Sequence, residues 1–289
     1  MKPVLITGGA GSVGRQLAGM LLADNIPVRI FDLPFMDFEG LEGESNVEIF
    51  KGDITDPESV KKAVDGVRCV LHLAAILPPN SEKDRDFTFK VNVEGTQNIL
   101  SSMKEVAKDA TIVFTSSIST YGDTSKEKDP VTVDHPQKAI DVYADSKIAG
   151  EKLVISSGVK YVVLRIASIA VPAFIEPADP WPFTAEQKVE MVHRDDVADA
   201  IRNSVDAEAA VGNVFNIAGG DTWRHNGKKY VEDFFTFMGA PVNLANYRET
   251  SGWNHWYDTE ESQSILKYQN RSYEYYSDQM RKIVEDMMS

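Results

Sequence analysis

The 289-residue sequence predicts an α/β protein built on a doubly wound parallel sheet, with a small carboxy-terminal lobe after it. Three observations carry that expectation. Short β-branched runs alternate with longer helical patterns through about residue 170, as a parallel sheet covered on both faces requires. The first run ends in a glycine-rich turn that opens directly into a helical pattern. The run Cys69-Val70-Leu71-His72-Leu73 is almost wholly apolar, which suits a central strand buried on both sides.

Each element follows from its local pattern. Strands are expected at residues 3–7, 28–32, 47–51, 69–73, 111–115 and 161–166, with helices at 11–24, 57–64, 86–107 and 142–157. The pattern changes after Ile166. Residues 171–183 carry Pro172, Pro177, Pro180 and Pro182, too many for a helix or a central strand. A helix at 194–205, a strand at 213–217, a helix at 227–238 and a partly helical tail complete the reading. The division expected is a dinucleotide-binding domain with the catalytic residues at 1–170. Residues 171–289 then form a mixed segment: a small substrate-binding lobe and late elements of the main sheet.

Bulk properties narrow the function. A formal charge of −14 opposes binding to nucleic acid or to an anionic membrane, because both need a positive field. No run of about 18 uncharged apolar residues occurs, so no membrane span is expected. Cys69 is the one cysteine and excludes an internal disulfide, which fits a reducing cytoplasm. The start enters a strand at once and leaves no room for a signal peptide, so the expectation is a cytoplasmic enzyme. The five histidines are scattered without metal-ligand spacing, and no metal is expected.

The chemistry begins at Thr7-Gly8-Gly9-Ala10-Gly11-Ser12-Val13-Gly14, where Gly8, Gly11 and Gly14 are spaced G-x-x-G-x-x-G. A strand-to-helix turn needs glycine where φ is positive and where backbone approaches a pyrophosphate. The helix start, with Ser12 and Val13, then offers N–H groups and a favourable dipole. The pattern predicts a Rossmann-type dinucleotide site, with a tight turn that holds no ligand as the alternative. Asp32 ends the second strand, where a carboxylate accepts from the adenosine ribose hydroxyls and repels a 2′-phosphate, favouring NAD over NADP. Asp53 and Ile54 follow the third strand and suit the adenine edge.

Tyr143-Ala144-Asp145-Ser146-Lys147 places a phenol and an ammonium at i and i+4, on one face of a helix. A phenol with a pKa of about 10 is a poor proton shuttle at neutral pH. The neighbouring ammonium is expected to lower that value. Upstream, Thr115-Ser116-Ser117 brings hydroxyls to the carboxyl end of a parallel strand, where ligands bind in such sheets.

In this order and spacing, the features resemble the extended short-chain dehydrogenase/reductases, the NAD-dependent epimerase/dehydratase family. The resemblance covers residues 1–170 and the later segment Val192-His193-Arg194-Asp195-Asp196-Val197-Ala198. It implies NAD held by Gly8, Gly11, Ser12, Val13, Gly14, Asp32, Asp53 and Ile54. The loop of Leu73, Ala74 and Ala75, with Asn92, would lie beside the cofactor, which Tyr143 and Lys147 would also contact. Catalysis would fall to Ser117, with Ser116 one place before it, and to Tyr143 and Lys147. A homodimer paired through the helices at 86–107 and 142–157 is also implied.

Departures from the family pattern shape the substrate expectation. Dehydratases resemble one another in an Asp-Glu pair after the catalytic hydroxyl, and Ile118-Ser119 stands there instead. Only about twenty residues separate Pro172 from His193, a short lobe for gripping a nucleotide diphosphate. The expected activity is therefore hydride transfer at a secondary alcohol or ketone of a sugar-like or other small hydroxylated substrate. A (nucleotide-)sugar 4-epimerase and a non-catalytic dinucleotide sensor are the alternatives.

Overall fold

The expected strands and helices of the first 170 residues sit where the sequence pattern places them, with one exception in the helix expected at 86–107. The computed structural model describes residues 1–174, 176 and 178–288, so Pro177 lies outside the described residues. Its elements run β1 (Val4–Thr7), α1 (Ser12–Ala23), β2 (Val28–Asp32), β3 (Val47–Lys51), α2 (Pro57–Val64) and β4 (Cys69–His72). Next come α3 (Arg85–Phe89), α4 (Gly95–Val106), β5 (Thr111–Ser117), α5 (Val142–Ser156) and β6 (Lys160–Ile166). The later elements are β7 (Ser168–Ala170), β8 (Lys188–His193), α6 (Arg194–Asn203), β9 (Val214–Ile217), β10 (Arg224–Asn226), α7 (Gly227–Phe237), α8 (Glu260–Leu266) and α9 (Tyr273–Met288).

The main sheet has seven strands in the order β3-β2-β1-β4-β5-β6-β9. Thr7 at the end of β1 stands level with Phe31 of β2 and His72 of β4, all parallel. Strand order reverses between β1 and β4, and a crevice opens at the carboxyl ends of strands at such a point. The α/β fold expected from the sequence is the fold observed.

The exception is the helix expected at 86–107. It is interrupted by a π-helical turn over Lys90–Glu94, between α3 and α4. The Thr96 hydroxyl donates to the Asn92 carbonyl at 2.6 Å, so a side chain takes an acceptor that an unbroken helix would use for backbone. The short strands β7, β8 and β10 were also not expected. They form a separate three-stranded sheet; β7 and β10 are only three residues long, and so short a run leaves little alternation to read.

The chain divides into two compact units. The first comprises Met1–Ser117, Ala139–Leu164 and Ile201–Val214; the second comprises Ile118–Lys138, Arg165–Ala200 and the chain from Phe215 on. In the first, Leu5, Val70, Ile99, Ile112, Phe114 and Val163 form a dry core. A Cβ on Gly150 would lie 2.7 Å from the Phe114 ring, so glycine there lets α5 settle against β5. That close approach sets the height of α5 over the sheet.

The second unit is aromatic. Trp181, Phe183, Trp223, Tyr230, Phe234 and Tyr273 pack into one cluster. The fully buried Glu190 carboxylate accepts from the N–H groups of Gly220 and Tyr257, both at 2.9 Å, and from Arg224 at 3.1 Å. Burial pushes that carboxyl up to about 7, against the pull of the Tyr257 N–H and Arg224. Arg224 is therefore engaged within this unit. The tail docks here too, with the buried Tyr268 hydroxyl donating to the Ala218 carbonyl at 2.9 Å. Among the described residues no helix is long and apolar enough to cross a membrane.

Candidate active site

The glycine turn is built for close contacts. Gly8 has φ +70°, and a Cβ there would come within 3.0 Å of the Ala74 backbone. A Cβ on Gly14 would lie 2.6 Å from both the Gly8 oxygen and the Gly9 Cα, so α1 starts directly against the turn. Gly11 meets only the Gly8 oxygen, at 3.3 Å, and precedes α1 with extended backbone.

No side chain caps α1, and no acid occupies its first turn, which holds Ser12 and Val13. By contrast Asp56, Asp84, Asp141 and Asn226 cap α2, α3, α5 and α7. An uncapped helix start behind a glycine turn leaves donors for an anionic ligand. The donor set fits a pyrophosphate.

A groove of about 310 Å³ runs from this turn along the first unit. Gly8, Gly11, Asp32, Asp53, Ile54, Leu73, Ala74 and Ala75 all line it, with Met36, Ile76 and Phe87. Asp32 Oδ2 accepts from the Ala10 N–H at 3.0 Å and Oδ1 from the Leu33 N–H at 2.8 Å. A carboxylate has roughly four lone-pair sites, so acceptor capacity remains for two ribose hydroxyls. Asp53 Oδ1 accepts from the Thr55 N–H at 2.8 Å and shapes its own turn.

Arg15 bears on the choice between NAD and NADP. Its Nε donates to the Ala10 carbonyl at 2.9 Å and its Nη1 to the Glu39 carbonyl at 2.6 Å, while Nη2 reaches the Asp37 carbonyl. The guanidinium is committed to holding residues 37–39. It is not poised for a 2′-phosphate.

The far wall of the groove is braced by Asn92 and His72. Asn92 Oδ1 accepts from the Ile76 N–H at 2.7 Å, while its Nδ2 donates to the Ile76 carbonyl at 3.1 Å and to Ser146 Oγ at 2.9 Å. The π-turn is what aims this buried amide at both. His72 is buried between Thr7 Oγ1 at 2.8 Å and Thr96 Oγ1 at 3.0 Å. Because Thr96 donates to Asn92, His72 Nε2 must be the donor to Thr96. Burial, followed by the Lys147 charge, brings the His72 pKa down to about 3, so it is a neutral strut.

Tyr143 and Lys147 lie one turn apart on α5, with Lys147 Nζ 5.7 Å from the Tyr143 ring centroid and 5.1 Å from that of Phe114. The buried Nζ donates to the Thr115 carbonyl at 2.8 Å, tying α5 to the end of β5. Burial brings the ammonium down to about 8, opposed by the charge of Glu151. The strand alternation separates the two serines. Ser116 is buried, with its hydroxyl on Glu151, whereas Ser117 is half-buried on the opposite face.

One expectation is corrected here. The Tyr143 pKa is not lowered; burial of the phenol and then the Asp141 carboxylate push it upward. Lys147 spends its charge on Thr115 and Glu151 rather than on the phenol oxygen. Tyr143 stands as a proton-bearing phenol.

Other candidates fall to structural roles. His193 is fully buried between Gln279 Oε1 at 2.8 Å and the Asp195 N–H at 3.1 Å. Asp196 receives Arg271 at 2.6 Å. Cys69 is buried, and burial pushes its thiol up to about 12, which suits core packing rather than nucleophilic attack. Among the described residues no group of three or more His, Cys, Asp or Glu is placed to hold a metal. Sequence reasoning missed Ser146, whose Oγ donates to the Tyr143 carbonyl at 2.7 Å, although it sits inside the Tyr-x-x-x-Lys motif.

A strand order of this kind, a glycine turn sharing a groove with an acid at the end of β2, and a Tyr-Lys helix beside a strand-end serine define an extended short-chain dehydrogenase/reductase. Residues 5–164 match the profile of the 3-beta hydroxysteroid dehydrogenase/isomerase family, and the chain belongs to that family.

Two curated relatives illustrate its range. D-erythronate dehydrogenase of Cupriavidus necator is 34% identical over 52% of this chain and 49% of its own. The 3 beta-hydroxysteroid dehydrogenase/Delta 5→4-isomerase of Mycobacterium tuberculosis is 31% identical over 53% and 42%. The chain spans about half the length of the curated relatives it matches.

Solved structures agree on the fold. A short-chain dehydrogenase/reductase superfamily protein of Agrobacterium tumefaciens with bound NAD superposes with a TM-score of 0.78 at 23% identity, over 99% of this chain and 96% of that one. UDP-glucose 4-epimerase of Thermotoga maritima gives 0.81 at 20%, over 99% and 100%.

Proposed function

We propose that the protein is an NAD-dependent dehydrogenase or reductase acting on a secondary alcohol or ketone of a small, sugar-like hydroxylated substrate. The observation that carries this reading is Lys147, one turn from Tyr143 on α5, bonded to the Thr115 carbonyl of β5, the strand that ends in Ser117, in a unit whose groove is lined by Gly8, Gly11 and Asp32. NAD, when bound, supplies the hydride acceptor. Tyr143 moves the proton at the substrate oxygen, and Ser117 hydrogen-bonds that oxygen to fix its orientation. Lys147 holds the end of β5 and contacts the nicotinamide ribose. Asp32 selects the ribose with a free 2′-hydroxyl. Residues 1–170 supply these groups, and residues 171–289 supply the substrate lobe and the late sheet elements.

D-erythronate dehydrogenase is named for a sugar acid, and that supports a small polyhydroxylated substrate over a nucleotide-sugar. A cytoplasmic homodimer paired through α4 and α5 completes the reading. The experiment is to purify the protein, denature a portion and assay released nicotinamide cofactor. The intact enzyme is screened in parallel for NADH formation with sugars, sugar acids and nucleotide-sugars. Cofactor-free protein that makes NADH from a sugar acid supports the proposal. Tightly held NAD with isomerisation and no net NADH makes it an epimerase. Binding without turnover of any compound leaves a dinucleotide sensor.

A further inference from the structure

Glu82 sits on a single helical turn, Asn80–Glu82, far from α5 in sequence. Its two carboxylate oxygens accept from the N–H groups of Val142 at 2.9 Å and Tyr143 at 3.0 Å. These are the first two residues of α5, whose own cap, Asp141, accepts from the Ala144 N–H at 2.7 Å. Three donors of the first turn are thus satisfied by two carboxylates, one local and one from a remote loop. Only the local one was needed for an ordinary cap.

The loop that carries Glu82 is fastened at both flanks. Asn92 grips Ile76 through its N–H and its carbonyl, and Arg85 pairs with Asp145 of α5 at 2.5 Å. Glu82 is held in place independently of any ligand. The charged and titratable groups around the start of α5 are Asp141, Asp145, Lys147 and Glu151 of the helix, Glu82 and Lys83 of the turn, Arg85 and Asp86 of α3, and His72 of β4. Arg85 is spent on Asp145, Lys147 on the Thr115 carbonyl, and His72 is neutral. The charge bonded to the Tyr143 backbone is therefore negative.

From this geometry we propose that Glu82 is a positioning residue for Tyr143, bracing the first turn of α5 and holding the phenol in its proton-bearing form. A helix start normally favours a nearby anion, which would ease ionisation of a tyrosine in the first turn. Two carboxylates bonded to those N–H groups cancel that field. Burial works to raise the Glu82 carboxyl, but the N–H groups of Val142 and Tyr143 and the Ser81 hydroxyl outweigh it and leave the group ionised at neutral pH.

The inference rests on the reading that Tyr143 exchanges the substrate proton, so its test has a readout free of turnover. Tyr143 is replaced by a fluorinated tyrosine of lower intrinsic pKa, and its ionisation is followed by fluorine NMR in the full-length protein. Glu82→Gln keeps one acceptor oxygen and removes the charge. The midpoint at position 143 should fall by about one pH unit, the scale of a charge acting over several ångströms at the protein surface. Asp86→Asn removes an equally exposed carboxylate that makes no bond to α5 and should leave the midpoint in place.

An unmoved midpoint in Glu82→Gln, or an equal fall in Asp86→Asn, overturns the proposal. If the wild-type protein forms no NADH with any substrate while the Glu82→Gln midpoint falls, the activity reading fails and the assignment of Glu82 stands. Where turnover is found, the rising limb of kcat/KM for alcohol oxidation, which reports ionisation of Tyr143 as the base, should move to lower pH in Glu82→Gln by the same amount. Glu82→Asp, which keeps the charge, should restore it.

Discussion

Replacing Lys147 by Met separates what the residue does for stability from what it does for chemistry. The Lys147 side chain is 3% exposed, and burial holds its ammonium down to about 8 from an ordinary 10.5. That depression corresponds to about 3 kcal/mol of disfavour for the charged form in the folded chain at neutral pH. Methionine has a similar length, carries no charge and packs well against the Phe114 ring. Losing the hydrogen bond to the Thr115 carbonyl costs about 1 kcal/mol, and Glu151 loses a facing cation.

The net expectation is that Lys147→Met stabilises the protein by about 1–2 kcal/mol at pH 7. In a chain of this size that is a rise of a few degrees in Tm. The pH dependence has a definite sign. Below pH 8 both folded and unfolded chains carry the ammonium, and the wild type bears the full penalty. Between about 8 and 10.5 the folded chain releases its proton first, so wild-type stability rises and the advantage of the variant shrinks. Thermal scans of both proteins from pH 6 to 10 measure this directly. A lower Tm for Lys147→Met at pH 7, or a gap that widens toward pH 10, refutes the reasoning.

Two further substitutions test the cofactor groove. Gly14→Ala drives a Cβ to 2.6 Å from backbone atoms of Gly8 and Gly9, so it should cost about 2–4 kcal/mol in urea unfolding and abolish NAD binding by calorimetry. Gly19→Ala, on the same helix but in open space, should instead stabilise by about 0.5–1 kcal/mol. Asp32→Asn removes the charge that repels a 2′-phosphate and should weaken NAD about 10-fold while narrowing its advantage over NADP. Equal loss for both dinucleotides would show that Asp32 only holds the Ala10 and Leu33 turn.

Much of the groove was legible in the sequence because its signals are local. Gly8, Gly11 and Gly14 fall within seven residues, and Tyr143 and Lys147 within one helical turn, so spacing alone puts them on one face. The strand-end position of Asp32 follows from the β-branched run before it. What escaped was carried by pairs distant in the chain. Glu82 bonds to Tyr143 across 61 positions, and Asn92 bonds to Ser146 across 54. The π-turn that aims Asn92 left no mark in the apolar periodicity of residues 86–107. The sense of the Tyr143 pKa shift was missed for the same reason. It depends on burial and on where Lys147 sends its proton, and the motif contains neither. Ser117 was preferred to Ser116 by resemblance alone, and the register of β5 adds a physical difference by putting Ser116 on Glu151.

The most direct test of the central claim is to titrate NAD into the wild type and Tyr143→Phe by calorimetry, then add the substrate that gives the strongest NADH signal. Both proteins should bind NAD with affinities within about 2-fold, because the groove and α5 are unchanged. NADH formation should fall about 10²–10⁴-fold in the variant, the range of a lost general acid–base group. Undiminished NADH formation by Tyr143→Phe would contradict the assignment of the proton to Tyr143 and move the reaction to another group.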